Sequence, residues 1–251
     1  MTKLFVLDLD GCVTYPFQTP HWESISKIRE YNIRSRTDST IPPLSICTGR
    51  PYAYAEAVAQ WLDIRLPIVF ESGGGVYFPD AQSIEFSSAY YEKKEKVEEV
   101  KAWISHIVET KYPDVLIEFT KKTDAGLVHS DESRIIEIFE LACDHVHKNF
   151  PDFEVHRTEV SVNIILKTCS KGTGLQWLSR ITDISLSEFA YIGDSSGDIS
   201  ALKIAGKPYT PKNGTPALDT YATRLNGETS QAVLEAYEML IQSNREILAT
   251  N

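Results

Sequence analysis

Two carboxylates two residues apart, Asp8 and Asp10, follow a short apolar run, Leu4 to Leu7, near the start of the chain. In extended backbone both side chains project from the same face and repel one another, and a cation relieves that repulsion. Farther along, Gly193-Asp194-Ser195-Ser196-Gly197-Asp198 presents two more carboxylates after another apolar run, and oxygen ligands of this kind suit Mg²⁺. Asp198 also fits the cap of a following helix, as do Ser195 and Ser196. Thr48 offers a hydroxyl at a third run, just before Gly49. Lys171 opens a helical stretch whose first-turn amides also favour an anion. Together these groups could hold a phosphoryl group beside a metal. Taken singly, each has a plainer reading as a turn glycine, a solvated acid pair or a cap.

The elements that must position these residues share one grammar. Leu4–Leu7, Leu44–Cys47, Pro67–Phe70 and Phe189–Ile192 are short continuous apolar runs, the pattern of strands buried on both faces of a parallel sheet. Each ends in polar or glycine residues, and open α/β sheets bind ligands at the carboxyl ends of their strands. Helices fit between them, over Tyr52 to Leu62 and Lys171 to Ile181. The pattern changes near Phe78 to Gln82, which predicts a domain boundary. Beyond it, Val97 to Val108 and Ile135 to Val146 follow helical spacing. Paired strands are expected at Val115–Phe119 with Gly126–His129, and at Phe153–His156 with Val160–Leu166. In the last of these, Ile165 interrupts an otherwise polar face. The order αββαββ implies a sheet covered on one side by two helices, leaving the other side to close over a ligand.

Composition narrows the function classes. A chain of 251 residues with 42% hydrophobic content buries a substantial core, either as one large domain or as a core with a smaller module. Its net charge of −10 argues against a broad grip on nucleic acid or anionic lipid. No apolar stretch is long enough for a signal peptide or a membrane span, so the cytoplasm is the expected location. Cys12, Cys47, Cys143 and Cys169 lie far apart and form no zinc or disulfide pattern. Cys47 and Cys169 read as small packing residues.

With these segments in view, the chain resembles the haloacid dehalogenase superfamily of phosphatases. Asp8-Leu9-Asp10-Gly11 resembles the first motif, Thr48-Gly49-Arg50 the second, Lys171-Gly172-Thr173-Gly174-Leu175 the third, and Gly193-Asp194 through Asp198 the fourth. The resemblance implies a Rossmann-like, doubly wound α/β core over residues 1–79 and 169–251, with a type IIB cap over 80–168. That capped branch includes sugar-phosphate, phosphoglycolate and mannosyl-3-phosphoglycerate phosphatases.

Carried over residue by residue, the resemblance makes Asp8 the nucleophile and Asp10 the general acid and base. Thr48, Gly49 and Lys171 would hold the phosphoryl oxygens, with Asn213 closing the phosphate side or forming a bare Asn-Gly turn. Mg²⁺ would bridge Asp8, the main-chain carbonyl of Asp10 and Asp194, with Asp198 as a further ligand or a support behind it. The implied substrate is a small phosphorylated metabolite, a sugar phosphate or an organic-acid phosphate such as phosphoglycolate, handled by a monomer or homodimer. Transfer to a sugar hydroxyl, as in phosphomutases, is an alternative, and a phosphate-responsive signalling module a more distant one.

Cys12, Ser72 and Gly197 depart from the family's usual threonine, asparagine and asparagine. In the cap, Lys121, Lys122, His129, Arg157 and Asn163 are candidates for substrate contact, although polar groups on an open sheet face are often merely solvated. His21 reads as a loop or core residue, Trp61 and Trp103 as packing residues, and Lys93 to Lys96 as a solvated helix start.

Overall fold

A computed structural model describes residues 1–250. In chain order the first half comprises β1 (Leu4–Leu7), α1 (Trp22–Arg34), β2 (Leu44–Ile46), α2 (Tyr52–Trp61), β3 (Ile68–Phe70), β4 (Gly75–Phe78), β5 (Ser83–Phe86), α3 (Ser88–Lys111), β6 (Leu116–Ile117) and β7 (Ala125–Val128). There follow α4 (Glu132–Asn149), β8 (Phe153–Arg157), β9 (Ser161–Leu166), α5 (Lys171–Thr182), β10 (Phe189–Ile192), α6 (Ile199–Leu202), β11 (Lys207–Thr210), β12 (Thr223–Arg224) and α7 (Thr229–Ala249).

The central sheet is wholly parallel, in the order β12-β11-β10-β1-β2, and Cys47 bridges to Val69 so that β3 continues it. Strand β1 shows why its apolar run is continuous. Phe5 and Leu7 pack with Ile25 and Ile28 of α1 and with Val233, Ala236 and Leu240 of α7. Leu4 and Val6 face the other way, onto Leu175 and Leu178 of α5 and Leu202 of α6. Alternate residues thus serve two helical layers, and an α/β sheet covered on both faces is the result. The chain runs outward from β1 to β2, then returns on the other side of β1 as β10. Strand order reverses there, which opens a crevice at the carboxyl ends of β1 and β10.

The second sheet is antiparallel, in the order β6-β7-β9-β8, and α3 and α4 cover one face of it. Val162, Ile164 and Leu166 of β9 join Ile104, Ile135 and Ile138 in that layer's core. Ser161, Asn163 and Ile165 point to the uncovered face and line the crevice, so the apolar Ile165 is a wall of the cavity. The segment expected as a domain boundary, Phe78 to Gln82, is the turn between β4 and β5. Strand β5 pairs back along β4 from Ser83 to Phe86, so the chain leaves for the second sheet only at Ser87. Because α3 begins at Ser88, Lys93 to Lys96 lie within the helix rather than at its start. Trp103 stacks on His145 at 4.1 Å between ring centres, and exposed His21 caps α1 by accepting from the Ser24 amide. Among the described residues, no helix is long and apolar enough to cross a membrane.

Candidate active site

The crevice is a cavity of about 1000 Å³ whose floor holds Asp8, Asp10, Thr48, Gly49, Lys171, Asp194 and Asn213. Asp8 follows β1, Thr48 follows β2 and Asp194 follows β10, while Lys171 is the first residue of α5. Lys171 Nζ lies 2.9 Å from Asp8 Oδ1 and 2.7 Å from Asp198 Oδ1. It sits off the line of a hydrogen bond to Asp8, leaving that oxygen buried without a hydrogen-bond partner. Burial alone would strip the proton from the ammonium, but the Asp198 and Asp8 carboxylates outweigh it and hold the Lys171 pKa well above the usual range.

The carboxylates carry the opposite strain. Burial, countered in part by Lys171 and reinforced by Asp198, raises the Asp8 pKa to about 7. Burial and the neighbouring Asp198 and Asp8 also push Asp194 well above the carboxylate range. One ammonium among the carboxylates of Asp8, Asp194 and Asp198 leaves an excess of negative charge.

Ligand atoms of Asp8, Cys12 and Asp194 all lie within 4.8 Å of one another. Gly11 makes the approach possible, because a Cβ at that position would fall 2.1 Å from Asp194 Oδ2, and its φ of +74° suits glycine. The two carboxylates fit a hard divalent cation, and the excess of negative charge around them calls for one. Cys12 does not fit that role: burial, with Asp194 next, raises its thiol pKa well above the usual value and keeps it protonated.

Asp198 lies outside that cluster. Its Oδ1 accepts from Lys171 and from Tyr191 Oη, and its Oδ2 accepts from the Ser195 amide at 3.0 Å and the Ser195 hydroxyl at 3.1 Å. Fully buried and fully engaged, it orients Lys171 and closes the turn after β10. Two first-turn amides of α5, those of Gly172 and Thr173, are engaged within the protein and so, contrary to expectation, do not receive an anion. Gly172 N donates to Ser200 Oγ at 3.0 Å and Thr173 N to Ser170 Oγ at 3.2 Å, so the ammonium of Lys171 is the cationic feature that α5 brings to the floor. Asn213 ties two loops together, donating to the Gly11 carbonyl at 2.9 Å and accepting from the Thr229 amide at 3.0 Å.

Three connections across the crevice have no local signature in the sequence. Arg50 forks onto both oxygens of Asp10 while its Nη1 donates to Glu118 Oε1 at 2.9 Å, so one guanidinium joins the floor to the second sheet. Lys121, buried, donates to the Gly49 carbonyl at 3.0 Å and to Asn163 Oδ1 at 2.7 Å, and Asp124 lies 3.1 Å away. Glu71 accepts from the amides of Lys122 and Thr123 and from the Thr123 hydroxyl. Gly74 lets that loop come close, since a Cβ there would meet Thr123 Oγ1 at 1.9 Å. Ser72, beside it, holds φ 52° and ψ 36°, a left-handed conformation that asparagine tolerates better. Of the cap candidates, Arg157 and Asn163 line the cavity. The Lys121 ammonium is engaged in holding the two sheets together.

A doubly wound parallel sheet with strand-end carboxylates, a buried lysine and a second sheet closing over them defines a capped α/β protein with an acidic site in its crevice. A family model described as haloacid dehalogenase-like hydrolase matches residues 84–236. The chain belongs to that family and is an enzyme of its phosphatase class. It is 24% identical to a phosphoglycolate phosphatase of Methanosarcina acetivorans, covering 95% of this chain and 96% of that protein. A phosphoglycolate phosphatase of Methanococcoides burtonii is 25% identical, covering 81% and 80%. Among solved structures, a haloacid dehalogenase-like hydrolase from Bacteroides thetaiotaomicron shares the fold at a TM-score of 0.69 with 18% identity, covering 96% of this chain and all of that one. The sucrose-phosphatase of a Synechocystis species, solved with sucrose and phosphate, gives 0.65 at 16% identity, covering 96% and 98%.

Proposed function

We propose that the protein is a Mg²⁺-dependent phosphomonoester hydrolase that passes the phosphoryl group of a small phosphorylated metabolite, a sugar phosphate or an organic-acid phosphate, through Asp8. The observation that carries this reading is the placement of a buried carboxylate, Asp8, in contact with a buried ammonium, Lys171, on the floor of a cavity closed by the second sheet. An anionic nucleophile approaches an anionic phosphate only where positive charge offsets the repulsion. Asp8, Asp194 and the main-chain carbonyl of Asp10 would hold Mg²⁺, which would add its positive charge to that of Lys171.

Within this scheme Asp8 attacks phosphorus and the leaving oxygen departs with a proton from Asp10. Asp10 then takes a proton from the water that hydrolyses the acyl phosphate. Lys171 and the Thr48 hydroxyl bind the phosphoryl oxygens. Arg50 forks onto the Asp10 carboxylate and fixes its orientation. Purified protein with Mg²⁺ is expected to release inorganic phosphate from a panel of sugar and organic-acid phosphates. Conversion of a sugar phosphate to its isomer without free phosphate would instead identify a mutase.

Metal dependence also has a signature in stability. Between the ordinary carboxylate value of 3.8 and about 7, the folded protein keeps on Asp8 a proton that the unfolded chain has released. Metal-free protein therefore loses stability as pH rises through that window. Mg²⁺ competes with those protons, so its addition is expected to raise Tm more at about pH 8 than at about pH 5. A thermal-shift series checks this, and an equal shift at both pH values contradicts it.

A further inference from the structure

The side of the cavity that receives the leaving group is acidic, and both arginines there, Arg50 and Arg157, already have carboxylate partners. Glu118, Glu132, Glu154 and Glu159 all line it from the second sheet and its helix. Arg157 lies 3.4 Å from Glu132 and over the Phe139 ring. His156 Nε2 lies 2.8 Å from Glu154 Oε1, and Arg50 is shared between Asp10 and Glu118. Lys203, on the core side, lies over the Tyr221 ring. The remaining polar groups that the second sheet brings to the cavity, Thr158, Ser161 and Asn163, are neutral donors and acceptors.

From this charge pattern, and resting on the phosphatase reading above, we infer that the leaving group is uncharged and rich in hydroxyls, and that a carboxylate-bearing leaving group such as glycolate is selected against. Hydroxyls donate to glutamates and both donate to and accept from Asn163 and Ser161, so a polyol satisfies this wall without a counter-charge. Glu118 and Glu132 are offset by Arg50 and Arg157, but Glu154 and Glu159 have no lysine or arginine partner, so a substrate carboxylate on this wall meets like charge at the cost of desolvation on both sides. The cavity of about 1000 Å³, which also includes the catalytic floor, has room for a leaving group larger than a two-carbon acid. The neighbours' names are divided on this point: the relatives in sequence are phosphoglycolate phosphatases, and one neighbour in fold is a sucrose-phosphatase.

Matched substrate pairs isolate the charge. 2-Hydroxyethyl phosphate and phosphoglycolate differ only by a hydroxymethyl in place of a carboxylate, and so do glycerol 3-phosphate and 3-phosphoglycerate. With the Mg²⁺-loaded native enzyme, kcat/KM is expected to favour the neutral member of each pair by about tenfold or more, the scale of one like charge held several ångströms away in a partly desolvated site. The variant E154Q/E159Q removes two of the charges and frees His156, and the preference is expected to fall several-fold. Preference for the carboxylate member by the native enzyme, or an unchanged ratio in the variant, overturns the inference. Failure to release phosphate from all four compounds and from p-nitrophenyl phosphate overturns the phosphatase reading, and this one with it.

Discussion

Asp8→Asn is expected to abolish phosphate release, with a loss on the order of 10⁴-fold or more, the scale on which removing a covalent nucleophile acts. The amide keeps the shape of the side chain but has no anionic oxygen to attack phosphorus. Stability separates this from a folding defect. Asp8 is buried, and burial already drives its carboxyl toward the neutral form, so an uncharged amide costs the fold little, and Lys171 retains Asp198 as its partner. Tm is expected to equal or exceed that of the native protein. Phosphate-release assays and thermal denaturation on the same sample check both halves. A fully active variant would sink the mechanism.

Lys171→Met is expected to lose about 10³-fold in activity, because it removes a preorganised cation facing the transferring oxygens. Here the fold suffers as well. Asp8 and Asp198 both touch Lys171 and are buried, and breaking a buried ionic cluster by removing one partner costs about 3–5 kcal/mol. The double variant K171M/D198N removes a stranded charge together with its partner and is expected to recover much of the lost stability while leaving activity low. A double variant no more stable than K171M would show that the Lys171–Asp198 contact is incidental to the fold.

Much of the core was legible because the signals are local. A short apolar run ending in a carboxylate or a hydroxyl marks both a doubly buried strand and the end where ligands bind, and Asp8, Thr48 and Asp194 stand at such ends. Lys171 was legible as the start of an amphipathic helix. Strands β11 and β12 were not, because Lys207-Pro208-Tyr209-Thr210 has no apolar run and β12 is only two residues long. The β4–β5 turn resembles a boundary in sequence because Phe78-Pro79-Asp80-Ala81-Gln82 carries turn chemistry, and a hairpin turn and an interdomain linker look alike in one dimension. Ser72 departs from the family's usual asparagine, and its left-handed backbone is the physical reason asparagine is the more comfortable residue there.

The pairings that join the two sheets could not have been read in the same way. Arg50 meets Glu118, Lys121 meets the Gly49 carbonyl, and Glu71 receives the amides of Lys122 and Thr123. Each joins residues some fifty or more positions apart. A charged side chain reads as solvated until its partner is known, as Lys121 did. The only hint was indirect: Gly73-Gly74-Gly75 signals a close backbone approach, and Gly74 is where the loop carrying Thr123 comes in.

The central claim is that the phosphoryl group rests on Asp8 during turnover, and rapid-quench labelling tests it most directly. Enzyme is mixed with Mg²⁺ and a substrate bearing a radiolabelled phosphoryl group, stopped in acid within one turnover, and reduced with borohydride, which converts an acyl phosphate of aspartate to homoserine. The account predicts transient, base-labile label on the protein and homoserine at residue 8. Turnover with no labelled protein at any time, or homoserine at another aspartate, would contradict it.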